Sequence, residues 1–171
     1  MKLQYRQINL PFQYPFTISG GRTKTHQPSL LVALQLGNLI GYGEAPAITY
    51  YNITVEQMIE DIESKKTMIE KFAFTEPERY WHYLHHLFPN NSFLVCALDM
   101  AGWDLYGKMK KKQLHEMWNL DTDNAPVSDY TIAIDSIEVM IQKMKERPWP
   151  IYKIKVGMEQ DIETVAALRK E

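Results

Sequence analysis

Ile151-Tyr152-Lys153-Ile154-Lys155-Val156-Gly157 sets two lysines on one side of a short, otherwise apolar strand. Side chains alternate faces along a strand, so Lys153 and Lys155 share a side, roughly 7 Å apart at about 3.3 Å rise per residue. Tyr152, Ile154 and Val156 take the other side and form an apolar stripe of the kind a parallel strand turns toward its covering helices. The ammonium groups then face the opposite way, into a barrel or across a cleft. Two like charges held close together disfavour each other's protonated form, which is how a lysine comes to act as a base near neutral pH. The pattern points to proton abstraction. A solvated edge strand whose lysines discourage edge pairing has the same composition, and the flanking sequence has to separate the two.

Immediately upstream, residues 127–134 read as a strand. Residues 136–146 read as a helix capped by Asp135 with Glu138 three positions on, and residues 160–170 as another helix. Strand, helix, strand, helix at this spacing is a βα repeat with parallel pairing. Two parallel strands cannot close a barrel, and a two-stranded sheet is marginal by itself. The strands therefore call for further partners, from a longer sequence or from a partner chain.

Further out, residues 2–8 alternate apolar and polar, and 29–36 and 39–44 are strand-like runs separated by the hairpin pair Gly37-Asn38. A small antiparallel sheet follows from these three. Residues 11–28, with Pro15, Gly20, Gly21 and Arg22, read as a long irregular loop of the kind that carries function. Thr54 to Gln57 is a capping box ahead of Val55, Met58, Ile59, Ile62, Met68, Ile69 and Phe72. Thr75 to Glu78 reads as a second box, opening a helix with Tyr80, Leu84, Leu87 and Phe88 on one face. Ser92 opens a third, apolar and central helix, and 114–118 form a short one. The polar turn Asp121-Thr122-Asp123-Asn124 is the predicted boundary between an α+β domain, 1–123, and an incomplete βα domain, 124–171.

Apolar residues at 45% and charged ones at 23% are ordinary for a globular chain, and a net charge of -2 gives no case for nucleic acid or an anionic membrane. The basic run Lys108 to Lys112 suits the C-terminal end of a helix. Cys96 is the sole cysteine, which excludes an internal disulfide and a cysteine metal cluster, and its apolar neighbours predict burial. The first residues lack the apolar stretch of a signal peptide, and no run of about 18 apolar residues occurs, so the reading is cytoplasmic.

Four collinear stretches carry a family resemblance. They are Gly41-Tyr42-Gly43-Glu44-Ala45, the run from Ala97 to Lys108 containing Asp99-Met100-Ala101-Gly102-Trp103-Asp104, Asp129-Tyr130-Thr131-Ile132, and the K-x-K strand. Together they resemble the N-terminal half of the enolase superfamily, in particular its muconate-lactonising subgroup and the dipeptide epimerases. The resemblance implies an α+β capping domain followed by the first two βα units of a modified TIM (β/α) barrel. It implies that Lys155 abstracts or returns the proton on Cα of a carboxylate-bearing substrate, with Lys153 beside it. It implies Mg²⁺ as the cation that stabilises an enolate-like intermediate. Thr131 would hydrogen-bond a substrate, the 16–22 loop with Phe16, Ile18 and Arg22 would close over it, and Tyr50 would lie in a second specificity loop. The implied partner is a small molecule, a dipeptide, with a homo-oligomer or a complementing C-terminal half as the macromolecular options.

By the same resemblance, the three carboxylate metal ligands, the lysine of the opposite substrate face and the acidic pair that holds a dipeptide's amino group fall after Glu171. The 171 residues alone are therefore expected neither to bind the metal nor to turn over. Muconate cycloisomerase and o-succinylbenzoate synthase share the K-x-K and are the rival enzymes. The context from Ser128 to Thr131 and the 16–22 loop favour the epimerase. A non-catalytic capping module that binds a partner is the rival of another class. His82, His85 and His86 share a helical face and read as solvated rather than as a zinc site. Asp99 and Asp104 lie too far apart around a helix to act as a pair, and read as structural.

Overall fold

The computed structural model describes residues 1–171. Three strands, β1 (Lys2–Ile18), β2 (Arg22–Leu36) and β3 (Leu39–Pro46), form one sheet in that order. Helices α1 (Val55–Lys71), α2 (Pro77–Leu87), α3 (Ser92–Lys110) and α4 (Leu114–Met117) follow. Then come β4 (Tyr130–Ile132), α5 (Ile137–Glu146), β5 (Tyr152–Ile154) and α6 (Asp161–Leu168). No helix is long and apolar enough to cross a membrane.

The chain divides into two compact units, one of Met1–Leu10 with Gln27–Asp121 and one of Pro11–His26 with Thr122–Glu171. Residues 11–26 are the main departure from the sequence reading, which leaves them as an irregular loop of the first domain. They are instead the distal arms of β1 and β2, joined by a 3₁₀ turn at Ser19–Gly21, and they group with the βα unit. Backbone pairing along the arms accommodates Pro11 and Pro15 on an edge strand, where a missing N–H costs little.

In the first unit, Leu30, Val32 and Leu34 alternate inward from β2 as the pattern predicts, and β2 meets β3 with Leu36 opposite Leu39 across Gly37-Asn38. Their inner face meets Val55, Met58, Ile62 and Ile69 of α1, Tyr80, Leu84 and Leu87 of α2, and Leu94, Leu98 and Leu105 of α3. The box at Thr54 forms in full, with Gln57 N–H donating to Thr54 Oγ1 at 3.2 Å and Thr54 N–H to Gln57 Oε1 at 3.3 Å. The second box does not form. Pro77 opens α2 and Glu76 is its N-cap without a side-chain bond, so Thr75 lies one residue too early to cap the helix. Met68 is exposed, unlike its predicted partners Ile62 and Ile69.

Gly41 and Gly43 explain how β3 and α3 lie against one another. A Cβ on Gly43 would overlap the Ala97 carbonyl, and one on Gly41 would overlap the Ala101 carbonyl. Glycine on the strand and alanine at 97 and 101 on the helix let the two backbones touch. This places Cys96 one step around the helix from Ala97, in solvent rather than buried as predicted. The histidines of α2 are exposed as read, with His85 Nδ1 3.0 Å from the Trp81 carbonyl oxygen.

In the second unit, β4 and β5 pair in parallel, with Thr131 opposite Lys153 and Ile132 opposite Ile154. Ile132, Met140 and Leu168 form its buried core, against which Tyr130, Ile141, Met144, Tyr152 and Ile154 pack. The strands are shorter than predicted. The α5 cap is Ser136, whose Oγ accepts from Val139 N–H at 3.4 Å, and not Asp135, whose carboxylate accepts from Lys143 Nζ at 2.9 Å instead.

Candidate active site

Parallel partners point to the same side of a sheet, so Thr131 and Lys153 share a face. Lys155 N–H donates to the Ile132 carbonyl oxygen at 3.0 Å, which carries the ladder one residue past β5 and returns Lys155 to that face. Tyr130, Ile132, Tyr152 and Ile154 take the other face and contact α5 and α6. The strand therefore sorts its side chains as the alternation predicts, up to Ile154. Val156 departs from the pattern, because it is 47% exposed and outside the apolar cluster. The left-handed φ of +135° at Gly157 ends the extended run there.

Lys153 is exposed and Lys155 half-buried, so these residues do not by themselves enclose the shielded chamber that the sequence reading anticipates. The physical reason is that β4 and β5 form a two-stranded sheet, with no further strands to close around that face. Thr131 Oγ1 donates to Asp129 Oδ2 at 3.4 Å, which sets a carboxylate beside the threonine on the same side of β4.

The distal β1–β2 hairpin meets the C-terminal ends of both strands. Thr17 accepts from Ile134 N–H at 3.1 Å just after β4, and Ser19 lies against Gly157 just after β5. Thr17 and Thr23 join their hydroxyls across the hairpin at 2.9 Å. Phe16 stacks edge-on against Phe12, with centroids 6.1 Å apart, and Phe16 and Ile18 are half-buried. Phe12, Phe16, Thr131, Ala133 and Lys143 line a cavity of about 270 Å³ between the hairpin arm and β4. Arg22 is exposed on the far arm of the tip. Hairpin residues and the Thr131 strand are thus brought together in one unit.

Nearer its base, the arm is fixed to α5. Tyr14 O–H donates to Glu146 Oε2 at 2.8 Å, and Lys143 Nζ lies 5.2 Å from the Tyr14 ring centroid. The hydrogen bond to Glu146 pushes the Tyr14 hydroxyl above its ordinary range, and the same bond with that from Gln142 holds Glu146 below its own. Lys143 holds Asp135 below the usual carboxylate range. Sequence reading missed these anchors. Their only signal was an amphipathic helix with a lysine, Lys143, at an inward position.

Tyr50, the remaining residue of the predicted set, belongs to the other unit. It sits in the 3₁₀ turn Thr49–Tyr51, 75% exposed, edge-on to Tyr51 at 4.9 Å. A cavity of about 800 Å³ in that unit lies beside Tyr42, Met100, Trp103 and Trp118 and includes none of the predicted site residues. Asp104 is structural there, as read. It accepts from Tyr42 N–H at 2.8 Å and from Lys108 Nζ at 2.7 Å. Burial raises the Asp99 carboxyl above its ordinary range, and its Oδ1 has no partner. No group of three His, Cys, Asp or Glu side chains is arranged to hold a metal ion.

No protein-family model matches the chain. An L-Ala-D/L-amino acid epimerase of Flavobacterium johnsoniae is 47% identical over 170 residues, which is 99% of this chain and 50% of the relative. One from a Maribacter species is 42% identical with the same coverage. An enolase family member from Agrobacterium tumefaciens, described as having homology to dipeptide epimerases, superposes with a TM-score of 0.77 at 26% identity over 98% of this chain and 49% of its own. The Bacillus subtilis L-Ala-D/L-Glu epimerase shares the fold, with a TM-score of 0.84 at 24% identity over 99% of this chain and 50% of its own. The chain spans about half the length of the curated relatives it matches. Over its whole length the chain is thus similar to one half of L-Ala-D/L-amino acid epimerases and to one half of an enolase family structure.

Proposed function

We propose that this sequence is the capping domain, 1–123, and the first two βα units, 124–171, of a cytoplasmic dipeptide epimerase that acts at the carbon next to a carboxylate. The observation that carries the reading is the shared face of Thr131, Lys153 and Lys155 at strand ends capped by the hairpin. Sites in βα barrels lie at the C-terminal ends of strands, with side chains drawn from several of them. The preferred substrates are dipeptides with L-alanine first and a variable second residue, after the names of the most similar curated relatives.

In this reading Lys155 takes the proton from Cα, or returns it. Lys153 lies beside it and keeps the face electropositive for the substrate carboxylate. Thr131 offers a hydroxyl to the substrate. Phe16 and Ile18 form an apolar wall from the hairpin, Arg22 meets a carboxylate from its tip, and Tyr50 belongs to a second specificity loop. Exchange of a proton between two faces of Cα needs a second acid–base group, assigned to the part of the protein beyond Glu171. Mg²⁺ is assigned to that part too. The Cytophaga hutchinsonii dipeptide epimerase, of the same fold, was solved with Mg and the dipeptide D-Ala-L-Val, whereas the carboxylates present here form no cluster for a metal. No step is derived through it.

A second reading has support of its own, because an o-succinylbenzoate synthase of Listeria innocua is 24% identical over 99% of this chain. Incubating the intact protein that carries this sequence with L-Ala-Xaa dipeptides in D₂O decides between them. Uptake of one deuterium at Cα of the second residue is the expected result. No uptake with any dipeptide counts against the epimerase.

A further inference from the structure

We infer that Gly157 is a positioning residue that seats the tip of the hairpin, so that Ser19 is held against the end of the lysine strand. A Cβ built on Gly157 would lie 2.5 Å from Ser19 Cβ and 3.1 Å from Ser19 Cα, closer than packed carbons approach. The φ of +135° at Gly157 is a conformation that residues with a side chain rarely adopt. The position thus requires glycine twice, once for backbone shape and once for the neighbour. It is two residues beyond Lys155, so whatever sits on it borders the lysine face.

The seat is one of three fixings along the same arm. Tyr14 is bonded to Glu146 on α5, the Thr17 carbonyl to Ile134 N–H after β4, and Ser19 rests on Gly157 after β5. Phe16 and Ile18 lie between these points. Phe16, which lines a cavity with Thr131, is then held by anchors on both sides and not by a freely swinging loop. Gly20 and Gly21, both at positive φ with nothing within 4 Å of an added Cβ, shape the turn beyond the last anchor. Motion that admits a substrate would have to lift Ser19 from Gly157 first.

The consequence for substrate rests on the proposed epimerase reading, whereas the seat itself is testable without turnover. Arg22 and Lys24 are exposed trypsin sites just past the tip. Local opening sets the rate of such cleavage when reclosing is fast. Limited trypsin digestion of the intact protein that carries this sequence, followed by mass spectrometry, compares wild type with Gly157→Ala and with Ser19→Val. Ser19→Val crowds the same contact from an exposed turn and leaves β5 untouched. Both variants are expected to be cut after Arg22 and Lys24 roughly tenfold faster, with cleavage after Lys65 in α1 unchanged. Unchanged cleavage after Arg22 and Lys24 in a variant that retains its cooperative melt overturns the seat. If Gly157→Ala does not fold, Ser19→Val alone decides. In the intact enzyme, Ser19→Val is expected to raise KM and to spare kcat. A fall in kcat at unchanged KM overturns the role in substrate placement while leaving the epimerase reading intact.

Discussion

Tyr42 on β3 donates its backbone N–H to Asp104 on α3 at 2.8 Å, and Lys108 Nζ reaches the same carboxylate oxygen at 2.7 Å. Lys108 also donates to the Ile40 carbonyl oxygen at 2.7 Å, so the helix ties the strand at both Ile40 and Tyr42. Removing the carboxylate leaves a backbone donor and an ammonium without their shared acceptor. Asp104→Ala is expected to lower unfolding free energy by about 1–2 kcal/mol, read from urea titration. A loss within experimental error would show that water replaces the carboxylate.

Gly43→Ala tests the close approach of β3 and α3. The added methyl would overlap the Ala97 carbonyl, and relief requires moving a whole helix that carries Leu94, Leu98 and Leu105 in the core. The expected cost is about 3 kcal/mol or more, at the upper end for overpacking. Cys96→Ala on the exposed face of the same helix is the control, expected to fall within about 0.5 kcal/mol of wild type. Thermal melts of the two variants make the comparison.

Much of this architecture was legible because local rules agreed with one another. Gly37-Asn38 between alternating runs and the capping box at Thr54 each specify a bond, and both bonds are present. The K-x-K strand sorted its faces correctly because period-two alternation is enforced by burial of Tyr152 and Ile154. The 11–26 stretch was misread because its strand character comes from hairpin pairing across the Ser19–Gly21 turn and not from apolar alternation. Prolines and a double glycine mask it. Cys96 was misplaced because α3 is apolar enough all round that its letters do not mark the solvent side. The contact between Ser19 and Gly157 joins residues too distant in the chain for any local pattern to link.

Acid should loosen the fastening of α5. Lys143 holds the Asp135 carboxyl below its ordinary range, and Tyr14 with Gln142 does the same for Glu146. A carboxyl depressed on folding favours the folded state above about pH 4, its unfolded value, and loses that contribution as pH falls toward its folded one. The contribution of these two carboxyls should therefore be constant from about pH 7 to 5 and drop away below about pH 4. Lys143→Met removes the main cause at Asp135 and should make that drop shallower, as followed by circular dichroism melts across the range. An equal slope in both proteins would place the acid sensitivity elsewhere.

The central claim is that Lys155 exchanges the proton on Cα of a dipeptide while Lys153 beside it supports charge and placement. Deuterium incorporation from D₂O into L-Ala-Xaa dipeptides, measured on the intact protein and on its Lys155→Ala and Lys153→Ala variants, tests it most directly. The account predicts that Lys155→Ala lowers washing-in of deuterium for one enantiomer at Cα by roughly a hundredfold or more, the usual scale for losing a positioned base. Exchange at the wild-type rate in Lys155→Ala would contradict it.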